Sequence, residues 1–136
     1  MTTVPAIAYP ADDQRIVFDA RGRSFVNVRT VRDDGPLGFS SGELLLIALG
    51  NCALGTIMES SEIEGLNINR LQMRLESEPA TDPYRLPEVS LTIFLGEGVT
   101  VSAEKERAIQ RLAENCPVAN TLAAAPPIQV HFIKDQ

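Results

Sequence analysis

The strongest constraint on the fold is a run of 15 uncharged residues, Leu44-Leu-Leu-Ile-Ala-Leu-Gly-Asn-Cys-Ala-Leu-Gly-Thr-Ile-Met58, entered through Ser40-Ser-Gly-Glu43. A hydroxyl three residues ahead of a carboxylate, just before an apolar run, is the capping-box signature of a helix start. The pattern predicts a helix from about Gly42 to Ser61, apolar nearly all round in its first half and therefore buried on most sides. At ~1.5 Å per residue it is roughly 30 Å long, enough to cross a domain. Such a helix requires a sheet wrapped around it or a partner chain beside it. The uncharged run falls short of the roughly 20 residues that span a bilayer, and Asn51 and Thr56 interrupt it, so no membrane span is expected. Glu59, Glu62 and Glu64 carry the far end into solvent, and Gly65 suits the position after the helix end.

Strand signals flank this helix. Arg15–Asp19 and Ser24–Thr30 read as a hairpin turning at Gly22, and the Gly- and Pro-punctuated stretch Asp33–Gly38 reads as a loop. Residues 1–14, with Pro5, Pro10 and Asp12-Asp13, read as an irregular arm. Asn67–Glu78 reads as a long strand whose apolar phase slips at Arg70, the mark of a bulge. Val89, Leu91, Ile93 and Leu95 alternate with Ser90, Thr92 and Phe94 in a strand with one buried face. Ser102 caps a second helix from about Ala103 to Asn115, with Ala108, Ile109, Leu112, Ala113 and Cys116 on one face and Pro117 ending it. Ile128, Val130 and Phe132 alternate in a last strand that also carries His131, the single histidine, on its solvent side. The order β-β-α-β-β-α-β describes a single-domain α+β protein of 136 residues, mainly antiparallel.

Charge and motifs exclude several function classes. A net charge of −6 with scattered basic residues argues against nucleic acid as a partner. There is no Gly-x-Gly-x-x-Gly, Walker loop or Gly-x-Ser-x-Gly, no Cys-x-x-Cys and no second histidine, so neither a cofactor nor a metal is expected. Met1–Tyr9 has no basic stretch ahead of an apolar one, and two cysteines in a chain without a secretory signal point to a reducing cytoplasm.

Those two cysteines carry the remaining chemistry. Cys52 lies in the apolar helix and Cys116 lies 64 residues later in Cys-Pro-Val-Ala-Asn-Thr-Leu122. Each reads in two ways. A cysteine on an apolar face is commonly inert filler. A reactive one needs its thiolate stabilised by a nearby positive charge. Cys52 stands about ten residues past the helix start, beyond the reach of the macrodipole. Its cation must then come from elsewhere, and Arg15, Arg21, Arg23, Arg29 and Arg32 all precede the helix.

The segment Gly35…Ser40-Ser-Gly-Glu-Leu-Leu-Leu-Ile-Ala-Leu-Gly-Asn-Cys52, followed by Cys116-Pro-Val-Ala-Asn-Thr-Leu122, resembles the OsmC/Ohr family of osmotically inducible and organic hydroperoxide resistance proteins. The resemblance runs from about Arg15 to Ile133. It implies an intertwined homodimer, in which curved antiparallel sheets wrap long central helices. It also implies a thiol-dependent peroxidase that reduces organic hydroperoxides. The residue matching Cys52 attacks the peroxide and becomes a sulfenic acid. The residue matching Cys116 condenses with it to a disulfide, and an external dithiol of the dihydrolipoyl type reduces that bond. The family's activating arginine, 20 residues before the first cysteine, falls on Arg32. This chain departs from the pattern in three places. Gly42 stands where the peroxidase branches carry the glutamate that holds the arginine, which leaves Asp33, Asp34, the neighbouring Glu43 or no carboxylate at all to hold it. Ser41 replaces the proline at the helix start, and Ala119 replaces the serine after Cys-Pro-Val.

Overall fold

The computed structural model describes residues 3–12, 14–29, 31–32, 35–36 and 38–134, with the backbone alone for 31–32 and 35–36. The chain divides into two compact units, residues 1–45 and 46–136.

In the first unit, β1 (Ile7–Pro10), β2 (Arg15–Ala20) and β3 (Arg23–Val28) form an antiparallel meander in the order β1-β2-β3. The β2–β3 turn is a two-residue loop with positive φ at both Arg21 and Gly22, the backbone that matches the right-handed twist of a hairpin. Phe18 and Phe25 face each other in register and stack with ring centroids 5.3 Å apart. Ile7–Pro10 corrects the expectation of an irregular arm. It pairs as an edge strand, where a proline without a donor is tolerated. A two-residue ribbon, β4 (Val31–Arg32) with β5 (Gly35–Pro36), follows. Asn27 is the buried polar residue here, and its amide both donates and accepts. Its Nδ2 donates to the Phe39 carbonyl and its Oδ1 accepts from the Phe39 N–H, both at 2.9 Å. That clamp fixes the backbone one residue ahead of the helix cap.

The helix α1 spans Ser41–Glu59. Its capping box is formed as expected: Ser40 Oγ accepts from the Glu43 N–H at 3.1 Å, and Glu43 Oε1 accepts from the Ser40 N–H at 2.8 Å. The helix ends two residues early because Ser60 starts a separate 3-10 turn at Ser61–Ile63, its hydroxyl accepting from the Glu62 N–H.

In the second unit, β6 (Leu71–Glu76) and β7 (Ser90–Leu95) pair antiparallel. Leu71, Met73 and Leu75 stand opposite Leu95, Ile93 and Leu91, so one face of the ribbon is continuously apolar. The expected bulge at Arg70 is instead a 3-10 turn over Ile68–Arg70 that ends where the strand begins. The helices α2 (Ala103–Glu114) and α3 (Pro117–Ala124) follow. Ser102 caps α2 by accepting from the Lys105 N–H at 3.1 Å, and Ala108, Ile109 and Ala113 face inward. The core joins Leu49, Ala53 and Ile57, one stripe of α1 at four-residue spacing, to Ile63, Leu71, Ile109, Ala113 and Cys116. Gly50 permits this packing, since a Cβ there would meet Leu75 Cδ1 at 2.9 Å.

Two expectations fail within this chain. First, α1 is not buried on most sides: beyond the stripe, Leu45, Ile47 and Met58 are exposed. By length and composition this helix could cross a membrane. Second, no strand forms around Ile128, Val130 and Phe132. Residues 125–134 have no regular structure, and these side chains are 87–89% exposed. A strand exists only against a neighbour, and among the described residues none pairs with this segment.

Candidate active site

Pro117 has two functions in building the site. It closes α2, as a residue without an N–H must, and it occupies the first position of α3, where a missing N–H costs nothing. Cys116 is thereby the N-cap of α3. Its Sγ accepts from the Ala119 N–H at 3.4 Å, and the Cys52 Sγ on α1 accepts from the Val118 N–H, also at 3.4 Å. One helix N-terminus thus offers consecutive backbone donors to two sulfurs from distant parts of the chain. The donors at a helix start point outward and carry partial positive charge, which suits a sulfur acquiring negative charge.

The two thiols differ in setting. Both are free. Cys116 is completely buried, whereas Cys52 is half-buried and reaches the surface. Burial pushes the Cys116 thiol above its ordinary value; the Ala119 N–H offsets part of this, and the adjacent Cys52 adds to it. Of the pair, Cys52 is the one an outside molecule can approach. Around it, Thr56 donates to the Cys52 carbonyl at 2.8 Å, which places the hydroxyl on the following turn of α1.

The remaining expected site residues lie in the first unit. Glu43 is present, with one carboxylate oxygen engaged in the capping box. The Arg32 backbone forms part of β4, but its side chain lies outside the described residues, as do Asp33 and Asp34. His131 sits in the exposed C-terminal segment. Among the described residues no group of three or more His, Cys, Asp and Glu is arranged to hold a metal.

What the sequence reading missed is the contribution of Val118 and Ala119. The sequence points to a cation for Cys52 because the N-terminus of α1 is too far away. The usable N-terminus belongs to a different helix. The signal was present in Cys116-Pro-Val, since a capping residue followed by proline marks a helix start as well as a helix end.

Comparison with known proteins gives the family and the fold. The OsmC-like protein profile matches residues 32–131. The fold is similar to that of an OsmC-like protein from Mycoplasma pneumoniae, with a TM-score of 0.72 and 20% identity over 90% of this chain and 88% of that one. It is also similar to an OsmC-like protein of unknown function from Vibrio cholerae, with a TM-score of 0.67 and 13% identity over 89% and 94% of the two chains. A hypothetical protein from Aquifex aeolicus has a TM-score of 0.67 and 14% identity over 92% and 90%. No curated protein matches the sequence. At these identities the structural likenesses speak for the fold, whereas the profile covers most of the chain, including both cysteines. The chain belongs to the OsmC-like protein family.

Proposed function

We propose that this protein is a cytoplasmic, thiol-dependent peroxidase that reduces organic hydroperoxides to alcohols. The observation that carries the reading is the meeting of Cys52 and Cys116 at the start of α3. The Cys52 thiolate attacks one peroxide oxygen, and the O–O bond breaks. Cys52 becomes a sulfenic acid while the departing alkoxide takes up a proton to give the alcohol. Cys116 then attacks the Cys52 sulfur, a disulfide forms, and the sulfenic oxygen leaves as water. An external dithiol of the dihydrolipoyl type returns both residues to thiols. Val118 N–H steadies the charge on Cys52. Arg32 supplies the activating cation in this reading, with Glu43 as its carboxylate partner.

The active form is a homodimer. The exposed apolar residues of α1 and of the C-terminal segment are surface that water disfavours and a second copy would cover. A bilayer is the poorer partner for α1, because Glu43 and Glu59 bound an uncharged stretch of only about 22 Å against a hydrocarbon core of roughly 30 Å.

Two variants test the cycle. Cys52→Ser abolishes peroxide consumption. Cys116→Ser still consumes one equivalent of hydroperoxide, accumulates a sulfenic acid trappable by dimedone, and fails to recycle with dithiol. Full turnover by Cys52→Ser contradicts the assignment. A second reading is motivated by Gly42 and by the engagement of Glu43 in the helix cap. It is a family member that binds a small molecule or senses redox state without turnover. Unaltered thiols after hydroperoxide exposure would favour it.

A further inference from the structure

Helix α2 and strand β7 do not close on each other along their whole length. Between them lies a groove of about 660 Å³, walled by Leu91, Ile93 and Leu95 of β7 and by Ile109 and Ala113 of α2. That volume is in the range of small-molecule sites, and the walls come from elements of one unit, so the groove exists in a single chain. Neither cysteine lines it.

The polar side of the groove has one sign. Glu106, Gln110 and Glu114 follow at four-residue spacing along one stripe of α2, and no lysine, arginine or histidine is among the lining residues. The Gln110 amide donates to Glu114 Oε1 at 3.2 Å, which orients that carboxylate. Two basic groups of α2 are drawn elsewhere. Arg111 Nη2 pairs with Glu62 Oε2 at 2.5 Å, and Lys105 Nζ donates to the Glu64 carbonyl. Glu106 and Glu114, both exposed, border the apolar trough, and no basic residue is among its lining.

We infer that this groove is a binding site for an amphiphilic cation, its apolar chain lying along Ile93 and Ile109 and its positively charged head at Glu106 and Glu114. An anionic chain of the same length meets like charge at the same place. The inference goes beyond the peroxidase reading: the groove holds neither thiol, although Ala119, whose N–H meets the Cys116 sulfur, is in its lining.

The test is calorimetry on the full-length protein at low ionic strength, with dodecyltrimethylammonium and dodecanoate below their micellar concentrations. Methyl NMR of Ile93 and Ile109 locates the ligand. The ammonium probe is expected to bind about fivefold more tightly than the carboxylate, with both isoleucine signals shifted, and Glu106→Gln with Glu114→Gln is expected to shrink the difference to about twofold. Binding persists in Cys52→Ser, which separates this result from any failure of the redox chemistry. Equal or tighter binding of dodecanoate, binding that leaves both signals unmoved, or no binding overturns the inference. So does a groove already filled in the unliganded protein by Val130 and Phe132 of a second copy.

Discussion

Helices α1 and α2 show two ways for a sequence to make a helix. In α2 the apolar positions form one stripe, Ala108, Ile109 and Ala113, and that stripe is buried within the chain. The other face carries charge, and the pattern is satisfied internally. In α1 the apolar positions go round the axis, yet only Leu49, Ala53 and Ile57 are buried. The surplus is the same in kind as the exposed Ile128, Val130 and Phe132 of the C-terminal segment. The difference teaches that the apolar pattern of α2 is satisfied within the chain, whereas that of α1 is satisfied only in part. The two cysteines follow the same division: Cys116 follows the self-contained helix, as the N-cap of α3, and is sealed, whereas Cys52 rides on the open one and is half-buried.

The comparison can be broken or sharpened by substitution. The largest effect is expected at the buried stripe of α1. Ile57→Ala removes a fully buried side chain and should cost about 2–5 kcal/mol in denaturant unfolding. Ile47→Ala on the open face comes next. At 47% exposure it would be nearly neutral for a single chain, but the dimer reading predicts weaker association by more than about 1 kcal/mol, seen in sedimentation across a dilution series. A neutral result there would mean that α1's exposed face stays in water.

A third prediction uses the sealed thiol. The Cys116 pKa is raised in the folded protein, so the unfolded chain loses that proton first, above its ordinary value of 9.0. Stability should be unaffected by this group below that pH and should fall as pH rises beyond it, by at most about 1.4 kcal/mol per pH unit. Cys116→Ser should remove that part of the slope, which denaturant titrations from pH 7 to pH 10.5 would show. The smallest effect is at the helix start, where Ser40→Ala deletes half of the capping box and should cost about 1 kcal/mol of thermal or denaturant stability.

Much of this was legible in the sequence because it was local. The capping box at Ser40 and Glu43, the turn at Gly22, the Ser102 cap and the matched apolar phases of β6 and β7 are short-range patterns, and each is present. The misreadings were of two kinds. Ile7–Pro10 became a strand because β2 offered it an edge, and Ile128–Phe132 did not because nothing in the described chain did. Strand formation is decided by a neighbour that local pattern does not reveal. At the site, both cysteines were legible, but the donors Val118 and Ala119 were not, since a backbone N–H has no sequence signature apart from the helix that orients it. Asn27, which fixes the approach to α1, was missed because its partner Phe39 is bound through main-chain atoms.

The most direct test of the central claim is intact-mass and peptide mass spectrometry of the reduced protein after one equivalent of an organic hydroperoxide. The account predicts loss of two hydrogens, mapped to a Cys52–Cys116 bridge that a dithiol reverses. Two free thiols after that exposure would contradict it.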